Sequence, residues 1–162
     1  VSDIFEKIKF IGKKPIIAKI GGFRPESHIK SWFGGDFLMN NTNDWPMDKD
    51  GYMVPVIQIN VPEMEDGIKY FGEYQLIQVF INKERLPSRT IAPNGDGWLL
   101  REYKTLDGLK IQKTPKECDI YKTFQIKWHV SSEDDFPDWE EMWEFFDMSE
   151  INNDDELSNR FF

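Results

Sequence analysis

The chain has 162 residues, a formal net charge of −9, 40% apolar and 15% aromatic residues, and one cysteine. That length suits a single domain with a substantial core, and the aromatic content excludes disorder over the whole chain. No apolar run approaches the roughly 20 residues that span a bilayer, and the lone Cys118 excludes an intrachain disulfide, which fits a reducing, cytoplasmic setting.

In chain order, Ser2-Asp3 is expected to cap a short helix carrying Ile4, Phe5 and Ile8 on its apolar side, stopped by Lys13-Lys14-Pro15. Asp3 and Glu6 stand where a secretory leader would carry basic residues, so no leader is expected there. Pro15 to Ile20 reads as a strand ended by Gly21-Gly22, and 23–31 as a loop. Phe33 to Met39 holds a Gly-Gly corner and a short extended piece, and 40–51 is polar and turn-rich. Tyr52 to Val61 is the clearest strand, with Val54, Val56, Ile57, Ile59 and Val61 β-branched. Residues 62–72 connect it to a second strong strand, Tyr74 to Asn82. Next come a loop over 86–97, a strand at Trp98 to Lys104, and Asp107-Gly108 as a hairpin turn into Leu109 to Gln112. The last strand, Thr123 to Val130, puts Phe124, Ile126 and Trp128 on one face, and Gln125, Lys127 and His129 on the other.

Residues 133–156 hold twelve Asp or Glu and no Lys or Arg, which leaves 17 acids against 20 bases elsewhere. Pro137 and the acids beside it suit a helix N-terminus, and Trp139, Met142, Trp143 and Phe146 recur at helical spacing. The expectation is an amphipathic helix over 137–148 with an aromatic stripe and an acidic back, followed by a frayed tail at 152–162. Glu140, Glu144 and Asp147 share one helix face with Glu141 beside them, which makes these four the candidate partner-binding residues. An acidic surface repels nucleic-acid phosphates and attracts a basic protein.

Taken in order, Lys14-Pro15, Phe33-Gly34-Gly35, Trp45-Pro46, Gln58-Ile59-Asn60 and Gln78-Val79-Phe80-Ile81 resemble the YwqG-like family of bacterial domains of unknown function. The likeness covers about residues 13–104 and rests on order and spacing. Ile57 stands where the family pattern has alanine, and Asp36-Phe37-Leu38 lacks its proline. Members of that family are usually longer, so the chain is expected to be a half-length or truncated version. The resemblance implies a mixed α+β fold with a mainly antiparallel sheet, and no established activity or cofactor. Proximity to toxin genes in that family suggests a toxin-neutralising (immunity) role, an association and not a mechanism.

Other candidate chemistry has plainer explanations. Asp48-Lys49-Asp50-Gly51 resembles the start of a calcium loop, but Pro46 and Ile57 would fall at ligand positions, so it reads as a turn. Asn94-Gly95-Asp96-Gly97 reads likewise. His28, His129 and Cys118 lack metal-ligand spacing, so no metal is expected. Gly34-Gly35 lacks phosphate-loop spacing and reads as a tight corner. Gln58 and Gln78 sit in apolar strands, where a buried amide needs partners; one in each of two neighbouring strands could fix their register. Phe33, Gly34, Gly35, Trp45, Pro46, Gln58 and Gln78 are therefore structural-motif residues. The expected whole is a single α+β domain over 1–162, non-enzymatic and without cofactor, with a short N-terminal helix, a twisted antiparallel sheet and an acidic C-terminal helix. It would bind a basic partner protein, with no nucleic acid and no membrane involved. The alternatives are a small-ligand or peptide-binding module using aromatics near Gly34 and the 86–97 loop, and a carboxylate-dependent hydrolase.

Overall fold

A computed structural model describes residues 12–21, 24, 26–41, 44–64, 69, 71–84, 94 and 97–135. Its strands are β1 (Ile16–Ile20), β2 (Trp32–Phe33), β3 (Phe37–Asn40), β4 (Met47–Asp48), β5 (Gly51–Tyr52), β6 (Val54–Asn60), β7 (Leu76–Ile81), β8 (Trp98–Tyr103), β9 (Leu109–Gln112) and β10 (Phe124–Val130). A six-stranded sheet runs in the order β1-β10-β2-β6-β7-β8, with β3-β9 and β4-β5 as two-stranded ribbons. The β-branched and aromatic runs read as strands in the sequence all lie within sheets, and β6-β7-β8 form an antiparallel meander.

The α+β expectation is corrected. The described residues are nearly all antiparallel sheet, with no helix of seven or more residues. Helical geometry among them is confined to the 3-10 turn Val61–Glu63 and to Lys69 and Phe71. The physical reason is local: the apolar runs among the described residues have the β-branched and aromatic residue types of pleated surfaces. Both helices expected at the ends, and the frayed tail, lie outside the described residues.

The hairpin expected between β8 and β9 is also corrected. Gly108 does take the positive φ of a turn, at 75°, but β9 pairs with β3, from Phe37 opposite Gln112 to Asn40 opposite Leu109. A turn signal fixes where the chain reverses and not which edge it then meets.

Two compact units are present. The larger comprises Ile17–His129. Its core gathers Trp32, Phe37, Met39, Trp45, Met53, Val54, Phe80 and Cys118. Phe80 takes Phe37 edge-on at 5.4 Å between ring centres and Trp45 at 5.8 Å, so β3 and the Trp45 segment pack on β7. Proline is unusual inside a strand because it cannot donate to the ladder; Pro55 sits where the β6–β7 register shifts, and the carbonyl of the following Val56 accepts the Gly34 N–H at 2.9 Å. The smaller unit joins Val1–Ile16 to Val130–Phe162. In its described part Lys13 and Asp135 exchange backbone hydrogen bonds of 2.9 and 2.7 Å, Ser131 N–H donates to Pro15 O at 3.0 Å, and Lys14 pairs with Asp134 at 2.9 Å.

Candidate functional site

The two strand glutamines come together. Gln58 and Gln78 are directly opposed in the β6–β7 register and both fully buried. Gln58 Oε1 accepts from Leu38 N at 2.8 Å and from Gln78 Nε2 at 3.0 Å; its Nε2 donates to the carbonyls of His28 and Lys30 at 3.0 and 3.1 Å. Gln78 Nε2 also donates to Leu38 O at 2.5 Å. One amide pair thus holds β3 and the 28–30 turn to the centre of the sheet. Gln78 Oε1 is buried with no partner among the described residues, and its amide cannot turn over, because that would face an oxygen to two acceptors.

The corners serve the same scaffold. Gly34 and Gly35, between β2 and β3, have φ of 63° and 82°, a region costly for residues with a Cβ. Phe33 lies in β2 against Tyr121, with ring centres 5.6 Å apart. Trp45 donates its indole N–H to Met53 O at 2.9 Å, and Met53 N–H returns to Pro46 O at 2.9 Å. Asp48 and Asp50 both accept from the Nδ2 of buried Asn82 at 2.6 Å, pinning the β4–β5 turn to the end of β7. The calcium-like sequence therefore folds as a braced turn, and Asn94 turns likewise, its Oδ1 accepting Leu100 N–H at 2.6 Å.

Sequence reasoning missed a cleft of about 360 Å³ lined by Glu26, Lys30, Glu63, Gln125, Lys127 and Trp128, with Pro62 and Ile126 between them. Its rim is a relay of alternating charges: Lys127 to Glu26 at 2.9 Å, Glu26 to Lys30 at 3.6 Å, Lys30 to Glu63 at 2.9 Å. Glu63 holds the Lys30 ammonium above the usual lysine range, and Lys127 holds the Glu26 carboxyl below the usual carboxylate range. Because the Lys30 pKa is raised, the stabilisation from its pairing is complete below the unfolded lysine pKa and is lost as pH rises through the folded value.

Beneath the rim lies Ser31, fully buried. Its backbone N–H and Oγ both donate to Glu63 Oε2, at 2.7 and 2.8 Å, while Oγ accepts from Asn60 N and Trp128 Nε1, each at 2.9 Å. Ser31→Ala would leave two buried N–H donors unanswered, so a loss of about 2 kcal/mol is expected by urea denaturation, with the Trp128 indole resonance displaced. A loss under about 0.5 kcal/mol would mean the serine hydroxyl is dispensable. Three distant segments build this cleft, and Gln125 stands in β10 on the same polar alternation as Lys127 and His129, so nothing local sets it apart.

The candidate partner-binding residues Glu140, Glu141, Glu144 and Asp147 lie outside the described residues. At the start of the acidic segment Glu133, Asp134 and Asp135 are described and exposed. Cys118 is buried, and burial pushes its thiol pKa up, which keeps it protonated and poorly nucleophilic at neutral pH. Among the described residues no three His, Cys, Asp or Glu side chains gather as a metal site, and no helix is long and apolar enough to cross a membrane. No family model matches the chain, and no curated protein matches it.

Proposed function

We propose that this chain is a cytoplasmic protein-binding module that engages a basic partner through the acidic segment 133–156, in the manner of an immunity protein neutralising a toxin. One observation carries the proposal: twelve acids within 24 positions without a single Lys or Arg. Such a run repels itself, so a basic surface that relieves the repulsion gains free energy on contact and draws the partner in from a distance. The resemblance of the motif order to YwqG-like domains supports the immunity role, and the single, buried Cys118 suits a reducing compartment. Binding rather than catalysis is favoured by the density of the acids, which makes a broad field and not a tuned acid–base pair.

Rim charges act mainly on association rate. The double reversal Glu140→Lys with Glu144→Lys is expected to slow association with a basic toxin by about tenfold or more, while dissociation changes much less. Surface plasmon resonance on the intact chain separates the two rates. An association rate untouched by the reversal would place the binding surface elsewhere. The alternative, a small-ligand or peptide-binding module, draws on a separate observation, the mixed-charge cleft beside β10.

A further inference from the structure

The cleft is lined by a side chain with a donor that no described residue uses. Gln125 is only 3% exposed and lines the cleft wall. Its Oε1 accepts the Glu26 backbone N–H at 2.5 Å. That contact fixes the amide, since the reversed amide would set two donors face to face. The two hydrogens on Nε2 then meet no acceptor among the described residues, on a side chain that lines the cleft. A side chain this buried with an unanswered donor calls for an acceptor from outside.

The surroundings define that acceptor. The Lys30 ammonium lies on the same cleft and is shared between Glu63 at 2.9 Å and Glu26 at 3.6 Å. An amide donor beside an ammonium suits a carboxylate. A lone anion would also meet Glu26 and Glu63, whereas a ligand carrying its own ammonium would satisfy Glu26 in exchange for the long Glu26–Lys30 contact. Exposed ion pairs of this kind contribute little and open readily. Trp128 spends its N–H inward on Ser31 Oγ, so with the exposed Pro62 it offers the cleft apolar surface. The volume, about 360 Å³, falls at the small end of the range for small-molecule sites.

We propose that this cleft binds a small dipolar ligand of the amino-acid or dipeptide class. Its carboxylate is received by Gln125 Nε2 and Lys30, its ammonium by Glu26, and its side chain rests on Pro62 and Trp128. The proposal deepens the ligand-binding alternative and makes no use of the acidic segment, so failure at either place leaves the other standing.

The test is a titration of the full, ¹⁵N-labelled chain with glycyl-phenylalanine and, separately, with the same dipeptide acetylated and amidated at its ends. The free dipeptide is expected to shift the Gln125 side-chain amide and the Trp128 indole N–H saturably, with Kd in the range of about 0.1–1 mM, and the capped form is not. Gln125→Glu keeps the acceptor for Glu26 N–H and sets a carboxylate against that of the ligand; Lys30→Met removes a half-exposed charge. Each should weaken binding by about tenfold. An equal response to the capped dipeptide, a response confined to other resonances, or no saturable shift by about 10 mM would overturn the assignment.

Discussion

Gln58→Leu is expected to lower the free energy of unfolding by about 4 kcal/mol, toward the largest effects of single substitutions. The native side chain uses both oxygen acceptor positions and both amide hydrogens, on Leu38 N, Gln78 Nε2, His28 O and Lys30 O. Leucine fills similar volume and answers none of them. Leu38 N–H and the Gln78 amide are the costliest orphans, because both are fully enclosed at the centre of the molecule. Gln78→Leu should cost less, about 2 kcal/mol, since Gln78 Oε1 has no bond to lose. The double variant should lose less than the sum, because the two amides share a hydrogen bond. Gln58→Glu adds a pH signature. A buried carboxyl facing two carbonyls must stay protonated, so its folded pKa is raised. The deficit relative to wild type should therefore be smallest below the unfolded carboxyl pKa and grow as pH rises through the folded one. Urea denaturation at several pH values measures all of these, and a loss under about 1 kcal/mol for Gln58→Leu would refute the clamp.

Gly35→Ala should cost about 3 kcal/mol, from two causes that add. At φ 82° an alanine is strained whatever its surroundings, and its Cβ would lie 2.4 Å from Thr123 Oγ1 and 2.5 Å from Thr123 Cγ2. The corner cannot easily shift, because Thr114 Oγ1 donates to Gly35 O at 2.7 Å and Thr114 N–H to Asp36 Oδ1 at 2.9 Å. Gly108→Ala isolates the backbone share: φ is 75°, but nothing lies within 4 Å of the added carbon, so about 1 kcal/mol is expected. Thr123→Gly in the Gly35→Ala background should recover part of the difference. Equal losses at Gly35 and Gly108 would show that the close approach of Thr123 does not matter.

What could be read in the sequence follows the range of the interactions. Strand identity is local, and the runs at β6, β7, β8 and β10 carry it in their β-branched and aromatic residues. The glutamines were legible because an amide in an apolar strand has to be paired, and two strands offered one each. Strand partnership is not local: nothing near Leu109 says that β9 joins β3 rather than β8. The α+β class failed because terminal cap and stripe signals were given the weight of a fold class, while the described residues fold nearly without helix. The cleft was illegible for a further reason. Glu26 meets Gln125 across 99 positions and Ser31 meets Trp128 across 97, and each side chain alone looks like ordinary surface or core.

The acidic-surface proposal is tested most directly by the ionic-strength dependence of association between the intact chain and a basic toxin, at low and at physiological salt. Electrostatic steering predicts an association rate that falls by about tenfold or more over that range while dissociation barely changes, with the Glu140→Lys, Glu144→Lys variant already slow at low salt. An association rate independent of salt, and equal in wild type and variant, would contradict it.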